Sequence, residues 1–200
     1  MYGYFQKHFV NFLSFILLLI MTAMYSCSSD DKNDRELYFI GDSHIELWDL
    51  SNSFPTYIVH NDGISGSGIA YIEESASRYA GKEVVVITGT NDMQHFTQDF
   101  EEEYVVRYVK AIEGLGAARL YLISILPRSV ELFGPNVNNE KIKRMNDKIK
   151  QAIHEKPIVY IDVFDMLIKD GVINPLYTCD GLHLSQDGYE VITEQLKNKL

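Results

Sequence analysis

The chain has 200 residues, 46% of them hydrophobic and 12% aromatic, enough apolar surface for the core of one ordinary domain and too much for wholesale disorder. A formal net charge of -10 argues against a nucleic-acid partner, whose binding rests on Lys and Arg neutralising phosphates. The two cysteines, Cys27 and Cys179, make neither a disulfide framework nor a four-thiolate zinc site.

At the start of the chain, Lys7 and His8 precede an apolar run over residues 12–21, which is followed by Tyr25, Ser26 and Cys27. The run is about half the roughly twenty residues of a spanning helix, and no stop-transfer cluster of Lys and Arg follows it. This layout predicts a signal peptide over residues 1–26 that is cut rather than retained. Ser26 before Cys27 resembles the lipobox of bacterial lipoproteins, although Met24 and Tyr25 depart from the usual Leu and small residue. The resemblance implies that Cys27 becomes the lipid-modified first residue of the mature chain. It also implies a lipid anchor in the outer membrane, facing the periplasm or the cell surface, with Cys27 as the sole membrane contact. The ordinary alternative is an incidental cysteine near a conventional cleavage site. Residues 27–35 are polar without apolar periodicity and read as a tether.

From residue 36 onward, short β-rich runs alternate with longer amphipathic ones. The pattern predicts a three-layer α/β domain over residues 36–200, a flavodoxin-like five-stranded parallel sheet with helices on both faces. Strands are expected at residues 37–40, 57–60, 84–87, 120–126 and 158–161. Helical spacing marks residues 100–115, 142–153 and 189–196, with Ser185 or Asp187 as the cap of the last helix. Ligands of such open sheets sit beyond the carboxyl ends of the strands, which singles out the residues that follow each strand.

Those residues form four polar blocks: Gly41-Asp42-Ser43, the stretch 61–66, Gly89-Thr90-Asn91-Asp92, and Asp180-Gly181-Leu182-His183 before the last helix. Together, in this order, they resemble the SGNH hydrolases, also called GDSL esterases and lipases. The resemblance spans residues 37–200. It implies a nucleophilic Ser43, a general base His183 oriented by Asp180, and an oxyanion hole drawn from Ser43, Gly66 and Asn91. It further implies hydrolysis of carboxylic esters without metal or cofactor.

The residues support this chemistry on their own terms, because acyl transfer needs a nucleophile, a base, an orienter for the base and donors for the oxyanion. Ser43 follows a strand and a glycine, where its hydroxyl can stand at a helix N-terminus; its ordinary reading is a helix cap. Asp180 and His183 lie close enough on one loop for the carboxylate to hold one ring nitrogen while the other faces Ser43. They can also be read as two metal ligands, but no further His, Cys or carboxylate has matching spacing. Glycine at 66 leaves the approach to a backbone N–H open, against the reading of a plain turn. Gly66-Ser67-Gly68 begins like a dinucleotide fingerprint, but Tyr71 occupies the third glycine position. Asn91 can aim its amide at the same oxyanion, and its ordinary use is as a turn residue. Asp42 and Asp92 read as structural, bonding loop amides.

His44 stands where the family more often has an aliphatic residue and is placed on the substrate side, with Arg128 and Phe133 of the stretch 127–140. Trp48 reads as core, and Lys141, Lys143, Arg144, Lys148 and Lys150 as a solvated helix face. Asn146 among them reads as structural. The expected substrate is a small-molecule or glycan ester with a short acyl group, acetyl above all, on a polar alcohol. Alternatives are a lysophospholipase or thioesterase acting on longer chains, and a non-catalytic surface glycan-binding protein.

Overall fold

A computed structural model describes residues 35–94, 98–129 and 138–200. The signal segment, most of the tether, Cys27 and Phe133 lie outside the described residues. Among the described residues no helix is long and apolar enough to cross a membrane.

Five strands form one parallel sheet: β1 (Glu36–Gly41), β2 (Ile58–Gly63), β3 (Glu83–Ile87), β4 (Arg119–Ile123) and β5 (Ile158–Ile161), in the spatial order β2-β1-β3-β4-β5. β1 therefore pairs with β2 on one side and β3 on the other, Tyr38 lying opposite both His60 and Val84. The chain reverses its direction of winding between β1 and β3. A crevice opens at such a point beyond the strand ends, and ligands bind there.

The two-residue period of the strands sorts their side chains onto two cores. Ile40, Val84, Val86, Leu120 and Leu122 face one side, under α3 (Ile69–Glu74), α4 (Glu101–Gly114) and α5 (Asn139–Ala152). Leu37, Phe39, Val85, Ile87, Tyr121 and Ile123 face the other, under α1 (Ser43–Glu46), α2 (Leu50–Ser53), α6 (Phe164–Leu167) and α7 (Gln186–Lys197). Val84 to Ile87 are all wholly buried, and each such side chain contributes about 1.5–3 kcal/mol. Trp48 lies in the second core, its ring 5.5 Å from those of Phe39 and Tyr189. A two-residue-per-strand hairpin, β6 (Ile168–Lys169) with β7 (Val172–Ile173), follows α6.

Several elements differ from their expected bounds for identifiable reasons. β2 runs on through Asn61, Asp62 and Gly63, because an edge strand tolerates polar residues. Asn61 uses its amide on the Ile45 carbonyl (2.9 Å), and Asp62 accepts from the Tyr79 hydroxyl (2.8 Å). β4 stops at Ile123 because side chains replace the ladder: Asn146 bonds both Ile125 N (2.8 Å) and Ile125 O (2.8 Å), and the Ser124 hydroxyl accepts from Val163 N. α5 begins earlier than its apolar periodicity, since the Asn138 side chain caps it by accepting from Lys141 N (2.8 Å). Ser185 caps α7 through Gly188 N. The basic helix face is not simply solvated: Arg144 and Lys148 reach the buried Glu101 of α4 at 2.7 and 3.2 Å.

Candidate active site

β1 ends at Gly41, where a Cβ would stand 1.8 Å from the Ile87 carbonyl oxygen, so no other residue allows β1 and β3 to come this close. The chain then turns at once into α1, with Asp42 as its cap and Ser43 as its first residue. Ser43 is therefore not the capping residue. Ser43 is 6% exposed.

The loop before α7 brings a second set of side chains to the same place. His183 Nε2 lies 3.1 Å from Ser43 Oγ, and His183 Nδ1 lies 2.6 Å from Asp180 Oδ2. Asp180 Oδ1 accepts from the backbone N–H groups of Leu182 (2.9 Å) and His183 (2.7 Å). Burial works to raise the Asp180 pKa, but the hydrogen bonds from the His183 ring and from these two amides outweigh it and hold it at about 2. The loop is stitched further by Thr178, whose hydroxyl donates to the His183 carbonyl (2.8 Å) and accepts from Gly181 N (2.8 Å). Ser129 N donates to the Gly181 carbonyl at 2.7 Å.

The turn after β2 is tied to the end of β1, since Ile64 N (2.9 Å) and the Ser67 hydroxyl (3.0 Å) both donate to the Gly41 carbonyl. Gly66 sits in this turn with φ +76°, a conformation L side chains rarely adopt. A Cβ there would meet nothing within 4 Å, so the backbone angle rather than crowding within the protein calls for glycine. After β3, Asn91 Nδ2 donates to the Ser67 carbonyl at 2.7 Å. This fixes one amide hydrogen and leaves the second for another acceptor. Asp92 Oδ2 accepts from Ile69 N at the start of α3 and from the Tyr104 hydroxyl.

Ser43, His183 and Asp180 thus form one hydrogen-bonded chain, and Gly66 and Asn91 are joined through Ser67. Two residues expected on the substrate side stand elsewhere. His44 is wholly buried, between Asp42 and the Leu182 carbonyl, and so is closed to substrate. Arg128 is also wholly buried; its guanidinium donates to the Thr90 carbonyl, and burial lowers its pKa to about 10. Ser67 carries no sequence signal because its partners, Gly41 and Asn91, are distant in the chain, and Thr178, whose partners Gly181 and His183 are local, belongs to no motif. Among the described residues no group of three or more His, Cys, Asp or Glu side chains is placed to hold a metal ion.

A profile of the family described as "GDSL-like Lipase/Acylhydrolase" matches residues 39–191. The N-acylneuraminate cytidylyltransferase of Escherichia coli O18:K1:H7 is 26% identical in an alignment 174 residues long that covers 80% of this chain and 39% of that protein. The chain therefore spans about two fifths of that curated relative's length. Among solved structures, a candidate platelet activating factor from Streptococcus pneumonia superposes with a TM-score of 0.70 at 26% identity, covering 95% of this chain and 97% of the other. A GDSL-like lipase from Bacteroides thetaiotaomicron shares the fold, with a TM-score of 0.65 at 21% identity over 90% and 94% of the two chains.

Proposed function

Because this chain belongs to the GDSL-like lipase/acylhydrolase family, we propose that it hydrolyses ester bonds as a serine esterase, through Ser43, His183 and Asp180. The observation that carries the reading is the continuous hydrogen-bonded path from Ser43 Oγ to His183 Nε2 (3.1 Å) and from His183 Nδ1 to Asp180 Oδ2 (2.6 Å).

In this mechanism the Ser43 hydroxyl oxygen adds to the ester carbonyl carbon while its proton passes to His183 Nε2. Asp180, ionised, holds Nδ1–H and stabilises the imidazolium that forms. The carbonyl oxygen becomes an oxyanion and accepts from the free hydrogen of the Asn91 amide and from the backbone N–H groups of Gly66 and Ser43. Collapse breaks the bond to the alcohol, which leaves with the proton from Nε2. Water, deprotonated in turn by His183, releases the acid and restores the Ser43 hydroxyl. No step calls on a metal or cofactor.

The substrate in this reading is a short acyl ester, acetyl above all, of a sugar or another polar alcohol. The side chains gathered at the site support it: Asn91, Asp180 and His183 are polar, which suits a small polar ester better than a long acyl chain. A sugar as the alcohol is supported by the E. coli relative, whose name is that of an enzyme acting on N-acylneuraminate. We further propose that residues 1–26 are removed on export and that Cys27 carries lipid, anchoring the domain to the outer membrane. Cys27→Ala should then release the protein from the membrane fraction; full retention would sink the anchor.

The test of the catalytic reading is Ser43→Ala, assayed on acetyl esters with a circular dichroism check of the fold. Loss of the nucleophile in serine hydrolases costs up to roughly 10⁶ in rate. A folded variant that keeps more than a tenth of the activity would exclude Ser43 as nucleophile.

A further inference from the structure

His44, the residue beside the nucleophile, has its ring centroid 6.0 Å from that of His183. Its Nδ1 lies 2.9 Å from Asp42 Oδ1 and its Nε2 3.0 Å from the Leu182 carbonyl oxygen. A carbonyl oxygen only accepts, and Asp42 Oδ1 already accepts the backbone N–H of His44 at 3.0 Å. A neutral imidazole offers one N–H and one lone pair, so at one of the two contacts a lone pair would face an acceptor. Two ring protons satisfy both.

We propose that His44 is a buried imidazolium, paired with Asp42, that positions the His183 loop by donating from Nε2 to the Leu182 carbonyl, and that activity is lost at alkaline pH when this proton leaves. The proposal rests on His183 being the general base. The Leu182–His183 stretch is then gripped from two sides. Asp180 takes both N–H groups from within the loop, and His44 takes the intervening carbonyl's partner role from the nucleophile's own helix. The two residues that must meet are so placed in register by a side chain next to one of them and a peptide next to the other.

The groups around the ring bear on its charge in different directions. Burial opposes the charged form, and so does the Arg128 guanidinium from the segment after β4; the attraction of Asp42 and the hydrogen bonds to Asp42 and Leu182 prevail, so the His44 pKa is raised. From α7 the Tyr189 hydroxyl donates to the His44 carbonyl at 2.9 Å, and from the loop His183 faces the ring. A group with a raised folded-state pKa keeps its proton-dependent stabilisation at low pH and loses it as pH rises through that value. The alkaline side is therefore where the clamp opens.

The decisive measurement is long-range ¹H–¹⁵N NMR of the ring nitrogens in the full-length domain. The expected result is that both His44 nitrogens are protonated at pH 7 and lose a proton in step with an alkaline fall in kcat. A neutral His44 ring at pH 7, whether beside an ionised or a protonated Asp42, overturns the proposal. As a second arm, His44→Gln keeps an amide hydrogen for Leu182 but cannot titrate. It should lower the plateau kcat about 10- to 100-fold through small misplacement of the base, leave KM nearly unchanged, and abolish the alkaline limb. Persistence of the same alkaline limb in that variant also overturns the proposal. Should His183 not be the base, His183→Ala would stay active while the His44 signals remained as expected, so the two failures are distinguishable.

Discussion

The Asn91 side-chain amide donates to the carbonyl of Ser67 across 2.7 Å, which holds the amide plane and points its second hydrogen away from that bond. A donor held in this way loses little freedom when charge develops on a substrate oxygen, which is the condition for stabilising a transition state rather than a ground state. Asn91→Ala is expected to lower kcat by about 10²- to 10³-fold with a much smaller change in KM. Steady-state kinetics on a soluble acetyl ester decide the matter. An unchanged kcat would make Asn91 a turn residue only.

Asp180, at about 2, stays ionised as pH falls from neutrality to about 4, since a depressed carboxylate takes up its proton only near its own pKa. With Asp180 ionised throughout, the acid fall in kcat/KM should come from one proton taken up by the base. The logarithm of kcat/KM should decline with a slope of one, and a slope of two would mean that the carboxylate titrates with it. Asp180→Asn should cost about 10⁴ in kcat through loss of the ring's orienting acceptor.

Asn146 is a stability prediction. It is 3% exposed, and its amide satisfies both the N–H and the C=O of Ile125, where β4 has ended. Asn146→Ala leaves two buried backbone groups unpaired, each costing about 1–3 kcal/mol, so a loss of about 2–6 kcal/mol is expected. Urea unfolding monitored by circular dichroism measures it. A loss below about 0.5 kcal/mol, the range of ordinary surface changes, would mean that other groups take over both bonds.

Acyl length tests the substrate reading. Each CH₂ removed from water is worth about 0.8 kcal/mol, so an enzyme with an acyl groove should improve steadily as the chain lengthens. The short-acyl reading expects kcat/KM to be highest at two carbons in a series of esters of one alcohol, and to fall well before about sixteen. A steady rise along the series would replace it with a lysophospholipase reading.

The parts legible in the sequence are those in which one signal dominates. β3 and β5 could be bounded because runs of β-branched residues, joined in β5 by Tyr160, fill them, and α4, α5 and α7 because each has enough turns for its periodicity to show. α1, α2 and α6, at four residues each, hold little more than one turn and carry no periodic signal. The polar end of β2 imitates a loop because an edge strand needs no apolar residue on its open side. Ser43, Asn91, Asp180 and His183 could be picked out because their polar blocks follow one another in a known order beyond the ends of elements, although each alone also reads as a cap or turn residue. The role of His44 was not legible: its ring is decided by the Leu182 carbonyl, 138 residues further along, and no local spacing encodes that contact. The pairing of Arg144 and Lys148 with Glu101 was hidden for the same reason, since a charge run shows its own helix and not the helix packed against it.

The hydrogen bond between Ser43 and His183 joins positions 140 residues apart. Neither half of the chain holds both groups, and the loop carrying His183 leads into α7, which packs against the face that also holds Trp48. Before the two ends of the domain have folded together, the chain presents an ordinary serine hydroxyl and an ordinary imidazole. The order of the sequence is in this respect a form of latency, since the pair exists only in the folded domain.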